Sequence, residues 1–320
     1  LSALPTKSTR IAAALLVHPT YQGYAKDPAP LIEQLHSLGC PVLVDEAHGS
    51  HFAAGVDDQL PASALRAGAD LVVHSLQKSA AGLAQTAVLW LRGQRVDPDR
   101  IRRSLGLLQT TSPSALLLAS CEAALQQWQQ PRGRDRLRQR LAESRQLKTS
   151  LVADGIPLLD SQDPLRLVLH TGSAGISGLD ADDWFMSHGL VAELPEPATL
   201  TFCLGLAKQR KLRGQMRKHW KALNDAHQGK TAFAPFEPPP LPLVSQPATS
   251  PCQAWNAGRR SIPLDAAEGE VAAELVCPYP PGIPLLIPGE QLDGSRLKWL
   301  QRQRTLWGEQ IPEQLMVIEG

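Results

Sequence analysis

Val42-Leu43-Val44-Asp45-Glu46-Ala47-His48-Gly49 reads as a short buried strand that stops on an acidic residue and enters a small-residue turn. Working outward, Ile11–Val17 is strand-like and Ala29–Leu38 has the spacing of an amphipathic helix, with Gly39 where a C-terminal cap belongs. After the motif come Ala62–Ala67, helix-like and stopped by Gly68, then the strand-like runs Leu71–His74 and Val88–Leu91. Strand, helix and strand at this spacing predict an α/β fold with a mainly parallel sheet and covering helices. Ligands of such sheets bind beyond the carboxyl ends of the strands, so the residues just after Val44 and Val73 carry most interest.

Two features stand out there. Between Asp70 and Arg92 the only Asp, Glu, Lys or Arg is Lys78, in a stretch of Ala, Gly, Ser, Leu, Gln and Thr. Most lysines are plain surface, but this neighbourhood predicts a partly buried amine, and desolvation favours the neutral form that a Schiff-base lysine needs. Asp45 reads either as a turn or capping residue or as a partner for a protonated pyridine nitrogen. One helix and one strand separate Asp45 from Lys78, so the two can converge from neighbouring strand ends. A metal reading of Asp45, Glu46, His48 and His51 matches no strong zinc spacing. Neither a G-x-S-x-G elbow, a G-x-G-x-x-G nor a P-loop is present.

Downstream, Ser112 and Pro113 form a cap and first-position pair for a helix to about Gln129. Pro131 opens a charged helix, with Leu137, Leu141, Leu147 and Leu151 on one stripe, that ends at Gly155; its charged face is read as solvated surface. Short strands follow at Arg166–His170, Leu190–Glu193 and Thr199–Leu204, then a basic helix over about Lys208–Asn224. The proline-rich stretch Pro235–Pro251 reads as a linker or extended wrap.

The 32 basic and 31 acidic residues nearly cancel, which gives no footprint for nucleic acid or a membrane surface. Five scattered cysteines without C-x-x-C spacing favour free thiols in a reducing compartment, and no run approaches a membrane span. Ile11–Val17 behind Lys7 and Arg10 is a weak candidate for an export signal but fits a buried strand better. The expectation is a cytoplasmic protein.

Val42–Gly49 with His51-Phe52, the run Ala69–Ala87, Thr110–Ser120, Gly189–Glu193 and above all Cys277–Glu290 (C-P-Y-P-P-G-I-P-L-L-I-P-G-E) closely resemble the bacterial Orn/Lys/Arg decarboxylase family of aspartate-aminotransferase fold. The resemblance implies a partial pyridoxal-phosphate transferase large domain (residues 1–112), interdomain helices with a small α+β domain (113–228) and a C-terminal decarboxylase-type domain (229–320). It implies pyridoxal 5'-phosphate carried as a Schiff base on Lys78, Asp45 on the pyridine nitrogen, Ala47 against the ring, Ser75 at the phosphate and His48 beside the reacting carbon. The reaction implied is decarboxylation of lysine, arginine or ornithine in a homodimer or larger homo-oligomer, with no metal.

Two departures from the family pattern accompany this. Gln77 stands where the family has histidine, a hydrogen-bond donor without positive charge. The family's phosphate cup and ring-stacking aromatic would lie upstream of Leu1, so a truncated member is expected. A same-fold aminotransferase or lyase, or a non-catalytic relative in polyamine metabolism, are the alternatives.

Overall fold

The computed structural model of the chain describes residues 11–208, 210–234, 237–240, 247–279 and 282–319. In chain order the elements are β1 (Ala14–Val17), α1 (Ala29–Ser37), β2 (Val42–Asp45), β3 (Leu71–Ser75), α2 (Leu76–Ser79), β4 (Ala87–Leu91), α3 (Pro98–Leu108), α4 (Ala115–Gln126) and α5 (Pro131–Ala153). They continue with β5 (Leu158–Leu159), β6 (Arg166–Leu169), α6 (Gly178–Ser187), β7 (Leu194–Pro195), β8 (Leu200–Cys203), α7 (Leu212–Ala226), α8 (Pro251–Asn256), β9 (Arg259–Pro263), α9 (Gly294–Trp307) and β10 (Gln314–Ile318). The chain forms two compact units. One takes in residues up to Leu169 together with Thr201–Lys221, and the other His170–Leu200 with the chain from Ala222 on.

In the first unit the sheet order is β1-β2-β3-β4, with β1, β2 and β3 parallel and β4 antiparallel along β3. The apolar alternation of β2 explains the packing: Val42 and Val44 point into a core with Ile32, Leu35, Cys40 and Val72. Each such side chain contributes roughly 1.5–3 kcal/mol by leaving water. Gly39 takes φ of +72° just past α1, and its N–H reaches the carbonyl of His36 while that of Cys40 reaches Leu35. A Cβ would strain this left-handed turn, which is why glycine ends the helix. On the opposite sheet face Leu15 and Val17 are 73% and 66% exposed, and register places Val17, Asp45 and Val73 side by side there.

Several sequence expectations need correction. Ala62–Ala67 is a set of turns rather than a helix: Ala67 N–H reaches the Ser63 carbonyl (3.0 Å), Gly68 at φ of +96° ends the run after that single turn, and the buried Glu46 carboxylate accepts from the Ser63 hydroxyl (2.8 Å) and the Ala64 N–H (2.8 Å) at its start. The cap of α4 is Ser114, whose hydroxyl accepts from Leu117 N–H, and not Ser112. An unexpected helix, α3, precedes it, capped by Asp97 through Asp99 N–H and without a buried residue. The strand expected at Leu190–Glu193 falls instead at β7, since Leu190 N–H is bound back to the Phe185 carbonyl at the end of α6. Residues 1–10, and 235–236 and 241–246 of the proline-rich stretch, lie outside the described residues.

The charged face of α5 is also more than solvated surface. Arg134 donates to the carbonyls of Ala54 (2.7 Å) and Gly55 (3.1 Å), and Arg138 to that of Val56 (3.0 Å). These guanidinium groups tie down the loop that follows β2. On the stripe itself Leu137, Leu141 and Leu151 are buried while Leu147 is only half-buried. Strands β5 and β6 pair antiparallel, and β8 follows β6 in the same sheet.

In the second unit β9 and β10 pair antiparallel, Arg259 opposite Ile318. Its core gathers Ile262, Val276, Leu286, Leu297, Leu300 and Val317. Helix α9 starts on Asp293, whose carboxylate accepts from Arg296 N–H at 2.9 Å. Among the described residues no helix is long and apolar enough to cross a membrane.

Candidate functional site

The site forms where the parallel strands end. Hydrogen bonding from Glu46 N–H to the Val73 carbonyl (3.0 Å) extends the ladder one residue past β2, and the chain then turns through Gly49. Asp45 and Lys78 therefore come from adjacent strand ends, Asp45 at the tip of β2 and Lys78 in α2, directly after β3. Asp45 is exposed, and its Oδ1 accepts from Ala47 N–H at 3.0 Å, which fixes the carboxylate over the half-buried Ala47. Ser75 is half-buried at the end of β3. Gln77 is exposed, with its Oε1 accepting from the backbone N–H of Gln85, so its NH2 group is the end left to donate.

Lys78 Nζ lies 2.9 Å from His48 Nε2 and 5.7 Å from the centre of the Tyr21 ring. Lys78 as a residue is exposed, which corrects the expectation of a partly buried side chain; the partial burial is at its contact with His48. His48 is buried and stacks on Tyr21 with ring centres 4.1 Å apart. Its other nitrogen, Nδ1, meets Arg166 Nη2 at 3.1 Å. Burial above all, then the guanidinium of Arg166 and the Lys78 side chain, pushes the His48 imidazole down to about 3, so it is neutral near pH 7.

Arg166 is 2% exposed and was not singled out in the sequence, nor were Asp163 and Tyr21. Asp163 is fully buried; it accepts from His51 Nε2 at 3.1 Å and lies 3.7 Å from Arg166. Burial raises its pKa, but His51, Arg166 and the Leu165 N–H outweigh that and hold it at about 2. Gly23 closes the cluster. Its φ is +87°, and a Cβ there would sit 2.8 Å from Arg166 Cγ and 2.9 Å from Asp163 Cβ. The available sequence signal was faint: an Asp and an Arg three apart leading into a strand.

Behind this layer Glu46 is a structural knot. His74 Nε2 donates to it at 2.7 Å, beside Ser63 and Ala64, and Trp90 Nε1 donates to His74 Nδ1 at 3.0 Å. Asp45, Glu46, His48 and His51 thus point to four different sets of partners: the open sheet face, the His74 knot, Lys78 with Arg166, and Asp163. That divergence removes the geometric basis of the metal reading.

The arrangement suits an aldehyde cofactor with a basic ring nitrogen. Lys78 offers an amine, Asp45 an open carboxylate held by one N–H, and Ala47 a side chain small enough to leave room above it. These are features of an α/β protein with a lysine and a carboxylate at adjacent strand ends. Residues 1–162 match the family model described as Orn/Lys/Arg decarboxylase, major domain, and residues 234–312 the one described as Orn/Lys/Arg decarboxylase, C-terminal domain. The chain belongs to the Orn/Lys/Arg decarboxylase family.

Among its relatives, the arginine decarboxylase of Bacillus subtilis (strain 168) is 32% identical over 305 residues, covering 89% of this chain and 60% of the relative. That of Halalkalibacterium halodurans is 31% identical over 299 residues, covering 90% and 60%. The fold is similar to the constitutive lysine decarboxylase of E. coli, with a TM-score of 0.74 at 16% identity over 96% of this chain and 58% of that one. Lysine decarboxylase A from Pseudomonas aeruginosa gives 0.73 at 16% identity, over 99% and 59%. The chain thus spans about 60% of the length of these curated relatives.

Proposed function

We propose that this chain carries the lysine-bearing part of a pyridoxal-phosphate site that decarboxylates a basic amino acid. The observation that carries this reading is the Lys78 amine held 2.9 Å from His48, beside the strand that ends on Asp45. Bound pyridoxal phosphate supplies an electron-withdrawing ring that takes up the electrons left behind when the carboxyl group departs as carbon dioxide. Lys78 is the amine that holds the cofactor through its aldehyde. Asp45 accepts a hydrogen bond from the ring nitrogen and keeps it protonated, and Ala47 lies against the ring. Ser75 and the NH2 of Gln77 donate toward the phosphate, Gln77 without the charge that the family's histidine adds. His48, neutral and hydrogen-bonded to Lys78, relays a proton between the Lys78 amine and the reacting carbon.

The relatives' names favour arginine as substrate and the structural neighbours favour lysine, so the substrate class is a basic amino acid. A cytoplasmic setting fits the free cysteines, and a homodimer or larger assembly fits the family.

Adding pyridoxal phosphate to the purified chain is expected to give a visible absorbance band, and borohydride is expected to leave the pyridoxyl group on the Lys78 peptide. Lys78→Ala abolishes both, and carbon dioxide release from arginine, lysine or ornithine needs no keto-acid acceptor. A Lys78→Ala protein indistinguishable from wild type would sink the reading.

A further inference from the structure

We infer that Ser50 and Ser79 are positioning residues, whose paired hydroxyls bolt the one-turn helix that carries Lys78 to the turn that follows His48. Ser50 Oγ and Ser79 Oγ lie 2.5 Å apart, a short O–H···O hydrogen bond. Both side chains are buried, at 0% and 4% exposure, and neither hydroxyl has another partner among the described residues. The pair joins segments 29 positions apart. Ser50 stands two places after His48 and opens the 3-10 turn Ser50–Ala54, while Ser79 directly follows Lys78 and ends α2.

Helix α2 has four residues, a single turn. One turn is unstable in isolation, so its place is set by what it packs against. Leu76 and Ser79, three apart and therefore on one face, are its buried residues, whereas Gln77 and Lys78 are exposed. Leu76 contributes apolar burial, which has no direction; the Ser79 hydroxyl contributes the contact that has one. The turn on the other side of the bolt is anchored independently. His51 Nε2 meets Asp163 at 3.1 Å, and the Ala54 carbonyl accepts from Arg134 at 2.7 Å. The hydroxyl pair thus passes a fixed reference from that turn to α2, and across the same gap Lys78 Nζ lies 2.9 Å from His48 Nε2.

The functional side of this inference rests on Lys78 being the cofactor amine, but two of its three readouts need no cofactor. Ser50→Ala and Ser79→Ala each leave one buried hydroxyl without a partner, and each is expected to lower the folding equilibrium constant from urea titration by about tenfold. The double variant removes both hydroxyls and is expected to lie within about threefold of wild type. It regains stability but not position. In hydrogen exchange of the double variant, the amides of Ala80 and Gly82, both bound to the Leu76 carbonyl, are expected to open about tenfold more often than in wild type. Its affinity for pyridoxal phosphate, read from the absorbance band, is expected to fall by about tenfold. Single variants that fail to fold beside a double variant that does fold would support the bolt. Additive losses, a double variant that fails to fold, wild-type exchange at Ala80 and Gly82, or a double variant that binds pyridoxal phosphate as wild type does would each overturn the inference. A wild-type chain that gives no absorbance band counts against the proposed cofactor alone, and the stability and exchange readouts still decide the bolt.

Discussion

Glu46 shows how a single charge organises this strand end. Its two carboxylate oxygens take donors from His74, Ser63 and Ala64, all buried. A carboxylate accepts on every lone pair, whereas an amide accepts on one oxygen only. Glu46→Gln is therefore expected to cost about 2 kcal/mol, because at least one buried donor loses its acceptor. A urea titration measures this directly; a loss below about 0.5 kcal/mol would mean the donors find other partners. Asp45, one residue earlier, projects the other way and takes no part in the knot. Alternation along an extended chain is what separates the structural carboxylate from the open one.

Among the elements, α5 carries more than its hydrophobic stripe. Arg134 and Arg138 hold the carbonyls of Ala54, Gly55 and Val56, at the end of and just after the short 3-10 turn Ser50–Ala54. A loop whose carbonyls are satisfied by a helix opens less often than a free one. Replacing both arginines by alanine is expected to speed amide exchange in the 50–56 segment by about tenfold, with little change in the β-strands. Hydrogen exchange read by mass spectrometry would detect it, and an unchanged 50–56 peptide would refute it. The sequence showed these arginines only as charge on a helix. Which charges face solvent depends on what the fold lays beside them.

At the scale of the first unit, buried titratable groups set the acid limit. His48 titrates at about 3 in the fold against 6.5 when free, and Asp163 at about 2 against 3.8. Both folded values are depressed, so the unfolded chain binds the extra proton first. Stability from these groups is complete above about pH 6.5 and 3.8 respectively, and drains as pH falls toward the folded values. The slope is about 1.4 kcal/mol per pH unit for one proton. Urea midpoints are expected to decline already from pH 6.5 downward. His48→Gln, neutral at all pH, should delay that decline to the carboxylate range; the same acid limb in both proteins would exclude His48 as its source.

The sequence by itself determined the alternating strands, the parallel sheet with its crossover helix, the family, and the places of Asp45 and Lys78. The family follows from the resemblance of whole motifs such as Cys277–Glu290, and the rest from local chemistry: apolar runs, a capping glycine, and a lone cation in an uncharged stretch. It misjudged Ala62–Ala67, whose helical pattern stops after one turn at Gly68, and Ser112, two residues short of the true cap. Only the tertiary structure decided that Arg166 faces His48, 118 positions away. A contact between distant segments leaves no periodicity to read. Which donor meets His48 Nδ1 is set by that contact alone.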